Sequence, residues 1–189
     1  MSCTLDPDLQ QRAAGIRLLL LDADGVLTDG VIWNVPGTPE VNQKTATYET
    51  KGFNSQDGIA LQWLMKSGVQ TGVVSGRISQ ATEIRARQLG MTYVYLGRLE
   101  KLPILDEIVA RGGFNHAHIA YAGDDLVDIP IMRRVGLAFA PANARPEVKK
   151  FAHCVTPSAG GRGAVREMVE ILMQANGTWD EILKKYEVE

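Results

Sequence analysis

Only two cysteines, Cys3 and Cys154, occur in the 189 residues, and they form neither a CxxC pair nor a cluster with the three histidines. That excludes a disulfide scaffold and a cysteine-ligated metal centre, and predicts free thiols in a reducing compartment. Long apolar runs are also missing. None exceeds about six residues, against the roughly 20 that a membrane-spanning helix needs. The opening stretch MSCTLDPDLQQRAAG carries acids and no apolar core, so it does not read as a secretory signal, and a cytoplasmic location is expected. Charge of one sign is lacking as well: 20 basic and 22 acidic residues give a formal charge of -2. A broad basic face for nucleic acid or an anionic membrane is thereby excluded, though not a local basic pocket for a small anion. The histidines His116, His118 and His153 show no ligand spacing and read as ordinary loop or strand-edge residues.

What is present is an ordinary globular composition, 45% apolar and 22% charged, at a length that suits one domain. We expect a single domain over residues 1–189, with an N-terminal extension over 1–15, a β-hairpin insertion over 30–54 and a C-terminal tail over 174–189. No repeat or linker divides it. Short β-like runs alternate with amphipathic helices. IRLLLL reads as a strand buried on both faces. DGIALQWLMKSG reads as a helix capped by Asp57 and closed by Gly68, with Ile59, Ala60, Trp63 and Leu64 on its core face. Further strands are expected at VQTGVVSG, TYVYLG, AHIAYAGDD and GLAFAPANA. Helices are expected at SQATEIRARQLG, capped by Ser79, at LPILDEIVARGG with Pro103 in its first turn, at GAVREMVEILMQA and at WDEILKKYE. LDPDLQQRAA reads as a short helix packed on the outside. The alternation predicts an α/β fold: a Rossmann-like parallel sheet flanked by helices. Residues 30–54 break it. With β-branched and aromatic runs around Pro36, Gly37 and Pro39, they read as a long β-hairpin whose Ile32, Trp33 and Tyr48 would pack on another copy of the chain.

In such sheets ligands bind beyond the carboxyl ends of the strands. DADG, SGR and GDD stand at three of those ends. Asp22 and Asp24, two residues apart, suit a nucleophile and a proton carrier, provided their environments differ. Asp124 lies beyond a neighbouring strand and, with Asp22, could supply the few carboxylates that Mg²⁺ prefers. Asp125 follows it, and Asp128 lies one helical turn on. Ser75 Oγ and the backbone N–H groups of Gly76 and Arg77, at an expected helix start, would make an anion site. Lys101 at a helix start opposes the helix dipole, which a phosphate oxygen within its reach would explain. Arg162, between glycines in AGGRGAVRE, reads equally as an anion ligand or as part of a flexible loop.

These pieces together resemble the haloacid dehalogenase superfamily of aspartate-nucleophile phosphatases. DADGVLTDG resembles its first motif, VVSGR its second, Lys101 its third and GDDLVD its fourth, in order over residues 16–173. The absence of a large cap domain, together with GVLTDG, FNSQDG, GDDLVDIPIM and GGRGAVRE, is similar to the capless 3-deoxy-D-manno-octulosonate 8-phosphate phosphatase family of lipopolysaccharide precursor synthesis. The resemblance implies a Mg²⁺-dependent phosphatase acting on a sugar-acid phosphate through a phospho-aspartyl intermediate. Asp22 would be the nucleophile and Asp24 the general acid/base. Asp22, the Asp24 carbonyl and Asp124 would hold Mg²⁺, with Asp125 nearby through water. Ser75, Gly76 and Lys101 would hold phosphate, and Arg77 and Arg162 the sugar acid. Gln56 stands on the substrate side where that family typically has Arg. A homotetramer through the hairpin is implied, with Arg162 reaching an adjacent site. Related families act on nine-carbon keto-acid 9-phosphates and tend to carry Glu where Arg77 and Arg162 stand here. An inactive scaffold serving a sugar-nucleotide synthetase is the alternative of another class.

Overall fold

The computed structural model describes residues 5–37 and 47–188. Its centre is β1, Leu18–Leu21, whose four leucines are all fully buried. Alternation along the strand sends Leu19 and Leu21 to one face and Leu18 and Leu20 to the other, each into its own apolar cluster. β1 pairs in parallel with β4 (Gln70–Val74) on one side and β6 (Ile119–Ala122) on the other. β5 (Tyr93–Tyr95), β7 (Leu137–Ala140) and β8 (Cys154–Val155) complete a six-stranded parallel sheet in the order β5-β4-β1-β6-β7-β8. The chain therefore leaves β1 for one flank and returns to build the other, which opens a crevice at the carboxyl ends of β1, β4 and β6.

Helices cover both faces. On one lie α1 (Pro7–Ala14), α2 (Ser55–Lys66), α3 (Gln80–Leu89) and α7 (Ala164–Ala175). On the other lie α4 (Leu102–Gly112), α5 (Ile129–Met132) and α6 (Pro146–Lys149). α8 (Trp179–Lys185) packs on α7, where Arg166 lies between the rings of Trp63 and Trp179. The expected short first helix is present, with Leu9 and Ala13 buried.

Several local expectations change. The N-cap of α2 is Asn54, whose side chain accepts from the Gln56 amide; Asp57 sits inside the first turn, buried, and accepts from the Arg166 amide at 2.8 Å instead. Asp57 thus caps a distant helix, which sequence spacing does not disclose. Ile59 is exposed rather than on the core face. β8, α5 and α6 were not expected, being two to four residues long and so without a detectable period. Cys154 is disulfide-bonded, against the expectation of a free thiol; Cys3 lies outside the described residues.

The hairpin is present at its base. β2 (Trp33–Pro36) pairs antiparallel with β3 (Thr47–Thr50), Trp33 opposite Thr50 and Pro36 opposite Thr47. Trp33, Val35 and Tyr48 are exposed on it. Its expected middle, around Pro39, lies outside the described residues.

Candidate active site

The chain leaves β1 at Asp22, whose amide donates to the Ala122 carbonyl at 2.9 Å and so ties the carboxylate to the end of β6. A five-residue turn, Ala23–Leu27, follows, with non-helical backbone at Asp24 and Gly25. Gly25 is required there. Its φ is +93°, and a Cβ would fall 2.0 Å from Asp124 Oδ2, so only glycine lets the turn press against the loop after β6. Gly160 backs the same turn so closely that a Cβ would meet the Gly25 carbonyl at 1.9 Å. Asn143 clasps the two, donating to Gly25 O at 2.9 Å and accepting from Gly160 N at 2.7 Å.

The two aspartates of DADG face different cations. Asp22 is buried and contacts Lys101 Nζ at 2.8 Å. Lys101, directly before α4, also contacts Asp128 Oδ1 at 2.7 Å and Tyr121 Oη at 3.2 Å. Its place at a helix start is explained by these carboxylates, which outweigh both burial and the helix dipole. Burial favours loss of the Lys101 proton, but Asp22 and Asp128 reverse this and hold its proton affinity above the ordinary value. Asp24 instead meets Lys51 Nζ at 2.6 Å and Arg77 Nε at 3.6 Å. Glu49 bridges the same pair, at 3.4 Å from Lys51 and 3.6 Å from Arg77, closing a ring of alternating charge between the hairpin base and the loop after β4.

Asp22, Asp124 and Asp128 bring carboxylate oxygens within 4.8 Å of one another. Burial, then the Asp128 charge, raises Asp22 to about 6 in spite of Lys101. Burial, then the charges of Asp22, Asp128 and Asp125, raises Asp124 to about 8. Asp128 is already committed. Its Oδ1 takes Lys101 and the Tyr121 hydroxyl, and its Oδ2 takes the amides of Asp124 and Asp125. Asp124 is not: its Oδ1 is buried with no hydrogen-bond partner. A buried, unpartnered carboxylate oxygen beside a second crowded carboxylate fits a hard divalent cation that keeps several waters.

Asp125 is exposed and turns its carboxylate to the Leu126 amide at 2.7 Å, outside the three-carboxylate group. Ser75 is buried at the end of β4, and its Oγ accepts from the Arg77 amide at 3.3 Å. α3 begins only at Gln80, so a loop, not a helix terminus, carries Gly76 and Arg77. Gly76 packs on Leu99, where a Cβ would meet Cδ2 at 2.8 Å. Arg162 is exposed and pairs with Asp29 at 3.2 Å, away from the carboxylates. Gln56 is exposed in the first turn of α2. Lys51, Glu49, Tyr121 and Asn143 were not singled out from the sequence. The available signal for Tyr121 was one hydroxyl in the otherwise apolar IAYA.

A family profile described as haloacid dehalogenase-like hydrolase matches residues 94–168. The 3-deoxy-D-manno-octulosonate 8-phosphate phosphatase KdsC of Yersinia pestis is 40% identical over 168 residues, 89% of this chain and 85% of that protein. A probable yrbi family phosphatase from Pseudomonas syringae superposes with a TM-score of 0.88 at 39% identity, over 96% of this chain and 98% of that one. The Moraxella catarrhalis 3-deoxy-D-manno-octulosonate 8-phosphate phosphatase, solved with magnesium, phosphate and KDO, gives 0.86 at 32% identity over 95% and 98%. Given that likeness over nearly the whole chain, with a strand-end aspartate set against a buried lysine and a second strand-end carboxylate, the chain belongs to the 3-deoxy-D-manno-octulosonate 8-phosphate phosphatase family of haloacid dehalogenase-like hydrolases.

Proposed function

We propose that this protein is a Mg²⁺-dependent phosphatase that hydrolyses 3-deoxy-D-manno-octulosonate 8-phosphate to the free sugar acid and phosphate. The observation that carries the reading is the meeting of Asp22, Lys101 and the unpartnered Asp124 at the carboxyl ends of β1 and β6. The names of the similar proteins supply the substrate.

Asp22 attacks phosphorus and forms a phospho-aspartyl bond, while Asp24 gives its proton to the departing sugar oxygen. Asp24 then takes a proton from the water that attacks the intermediate, and phosphate leaves. The two aspartates stand in different surroundings, Lys101 beside the buried Asp22 and Lys51 with Arg77 beside Asp24. Ser75 and the Gly76 amide hold phosphate oxygens with Lys101. Asp22, the Asp24 carbonyl and Asp124 would hold Mg²⁺, with Asp125 reaching it through water. Bound there, the cation lowers the repulsion between carboxylate and phosphate and offsets charge on the transferring group. Arg77, Arg162 and Gln56 face the sugar acid. Arg162, paired with Asp29 within one protomer, does so in the site of a neighbour.

The protein acts in the cytoplasm as a homotetramer assembled through the hairpin. Exposure of Trp33, Val35 and Tyr48 on a two-stranded ribbon supports this, because so small a sheet gains little stability alone. Among the described residues no helix is long and apolar enough to cross a membrane. The test is turnover of a phosphate-ester panel with and without Mg²⁺, including the eight-carbon ester, a nine-carbon keto-acid 9-phosphate and an aryl phosphate. The eight-carbon ester should lead only with Mg²⁺ present, and Asp22→Asn and Asp24→Asn should each be inactive while folded. Parity with the aryl ester would refute the substrate assignment, and full activity in either variant would refute the mechanism.

A further inference from the structure

We propose that Tyr121 is a positioning residue for phosphoryl transfer: its buried hydroxyl keeps the Lys101 ammonium aimed at the phosphoryl group while Asp22 releases that ammonium to bond phosphorus. The proposal rests on the phosphatase reading above.

An ammonium has three N–H donors. In Lys101 the three available oxygens are Asp22 Oδ1 at 2.8 Å, Asp128 Oδ1 at 2.7 Å and Tyr121 Oη at 3.2 Å. The set is complete, so a phosphoryl oxygen can be met only when one partner gives way. Asp128 is locked by four donors and fully buried. Tyr121 is fully buried in β6, among Leu18, Leu20 and Leu105 of the core. Asp22 is the exchangeable partner, because the reaction turns its carboxylate into an acyl phosphate.

The direction of the freed N–H then depends on the two contacts that stay. Two fixed contacts on a tetrahedral nitrogen determine where the third N–H points. One fixed contact leaves the group free to rotate on a flexible four-carbon stem. Tyr121 supplies the second, and its own proton goes to Asp128 Oδ1 at 2.6 Å, which fixes the hydroxyl as an acceptor toward Lys101. The phenol keeps that proton, since burial and then the neighbouring Asp128 charge raise its affinity well above the ordinary value.

A merely structural hydroxyl would also be bonded, so the experiment is a double-mutant cycle of Tyr121→Phe and Lys101→Met, read by kcat and KM on the eight-carbon ester at saturating Mg²⁺ and high enzyme concentration. Tyr121→Phe keeps the ring in the core. It should lower kcat by roughly 10- to 100-fold with KM within about threefold, because misalignment is felt at the transition state. In the Lys101→Met background the same change should cost nothing further. An equal loss in both backgrounds, an unchanged kcat in the single variant, or a Tyr121→Phe chain that no longer folds would each overturn the positioning role. If the wild-type enzyme turns over no phosphate ester, the phosphatase reading fails. If it turns over normally and Tyr121→Phe matches it, only this inference fails.

Discussion

Asp124→Asn should raise the thermal stability of the metal-free protein at pH 8 and make the fold indifferent to magnesium. The Asp124 carboxyl is pushed up to about 8, by burial first and then by the charges of Asp22, Asp128 and Asp125. An unfolded aspartate ionises near 4. The folded chain therefore holds a proton that the unfolded chain has released. The stability this group contributes is complete below pH ~4 and is lost as pH rises through about 8. A tenfold change in proton affinity between folded and unfolded chain corresponds to about 1.4 kcal/mol. Asp124 is partly open to solvent and shares its repulsion with Asp22, itself raised to about 6, so the recoverable part is nearer 2 kcal/mol. For a chain of this size that is about 4–8 °C in Tm. Asparagine carries no charge, so the variant should gain this at pH 8 and nothing at pH 4. Magnesium takes the ionised carboxylates, so it should stabilise the wild type, and more so with rising pH. The assay is thermal unfolding from pH 4 to 8.5, with chelator or with millimolar magnesium. A variant less stable than wild type at pH 8 without metal, or one that keeps the wild-type magnesium increment, would refute both the electrostatic crowding and the cation assignment.

Gly160→Ala should cost at least about tenfold in kcat/KM, because its Cβ would meet the Gly25 carbonyl at 1.9 Å and backbone cannot swing aside as a side chain does; wild-type kinetics would show that the Gly-rich turn does not set the position of the DADG turn. Lys51→Met leaves the partly buried Asp24 and Glu49 without their shared lysine, and should lower stability by about 1–3 kcal/mol in urea unfolding while cutting kcat. An unchanged kcat there would separate the hairpin base from the proton-transfer step. Arg166→Ala removes the guanidinium stacked 4.5 Å from Trp63 and 5.2 Å from Trp179, and should cost about 1–2 kcal/mol and shift tryptophan emission with kcat/KM unchanged. Emission identical to wild type would mean that α8 does not depend on this stack.

How much was legible follows from how far apart in sequence the interacting groups lie. The sheet was legible because its signals are local: a run such as LLLL bounded by a turn, or Ser79 and Gly90 at the two ends of α3. The placement of DADG, SGR and GDD at neighbouring strand ends was legible because the parallel architecture dictates where they must meet. What escaped was decided between elements. Asp57 has good cap chemistry, and it caps α7, 109 residues away, rather than its own helix. Asp125 and Asp128 are indistinguishable in GDDLVD. The short turn at Leu126–Asp128 buries the second and leaves the first exposed as a cap, so the acid that stays beside Asp22 and Lys101 is the one farther along the chain. Lys51 had no local signal at all. It ends a hairpin strand with no helical period, and its contact with Asp24 exists because the hairpin both begins and ends at the crevice. That return is a consequence of inserting a ribbon directly after β1. An antiparallel pair brings the chain back to where it left, so whatever side chain follows β3 must lie beside the DADG turn. The insertion thus does more than project an apolar surface: it delivers to Asp24, at 2.6 Å, a cation that is not the one beside Asp22.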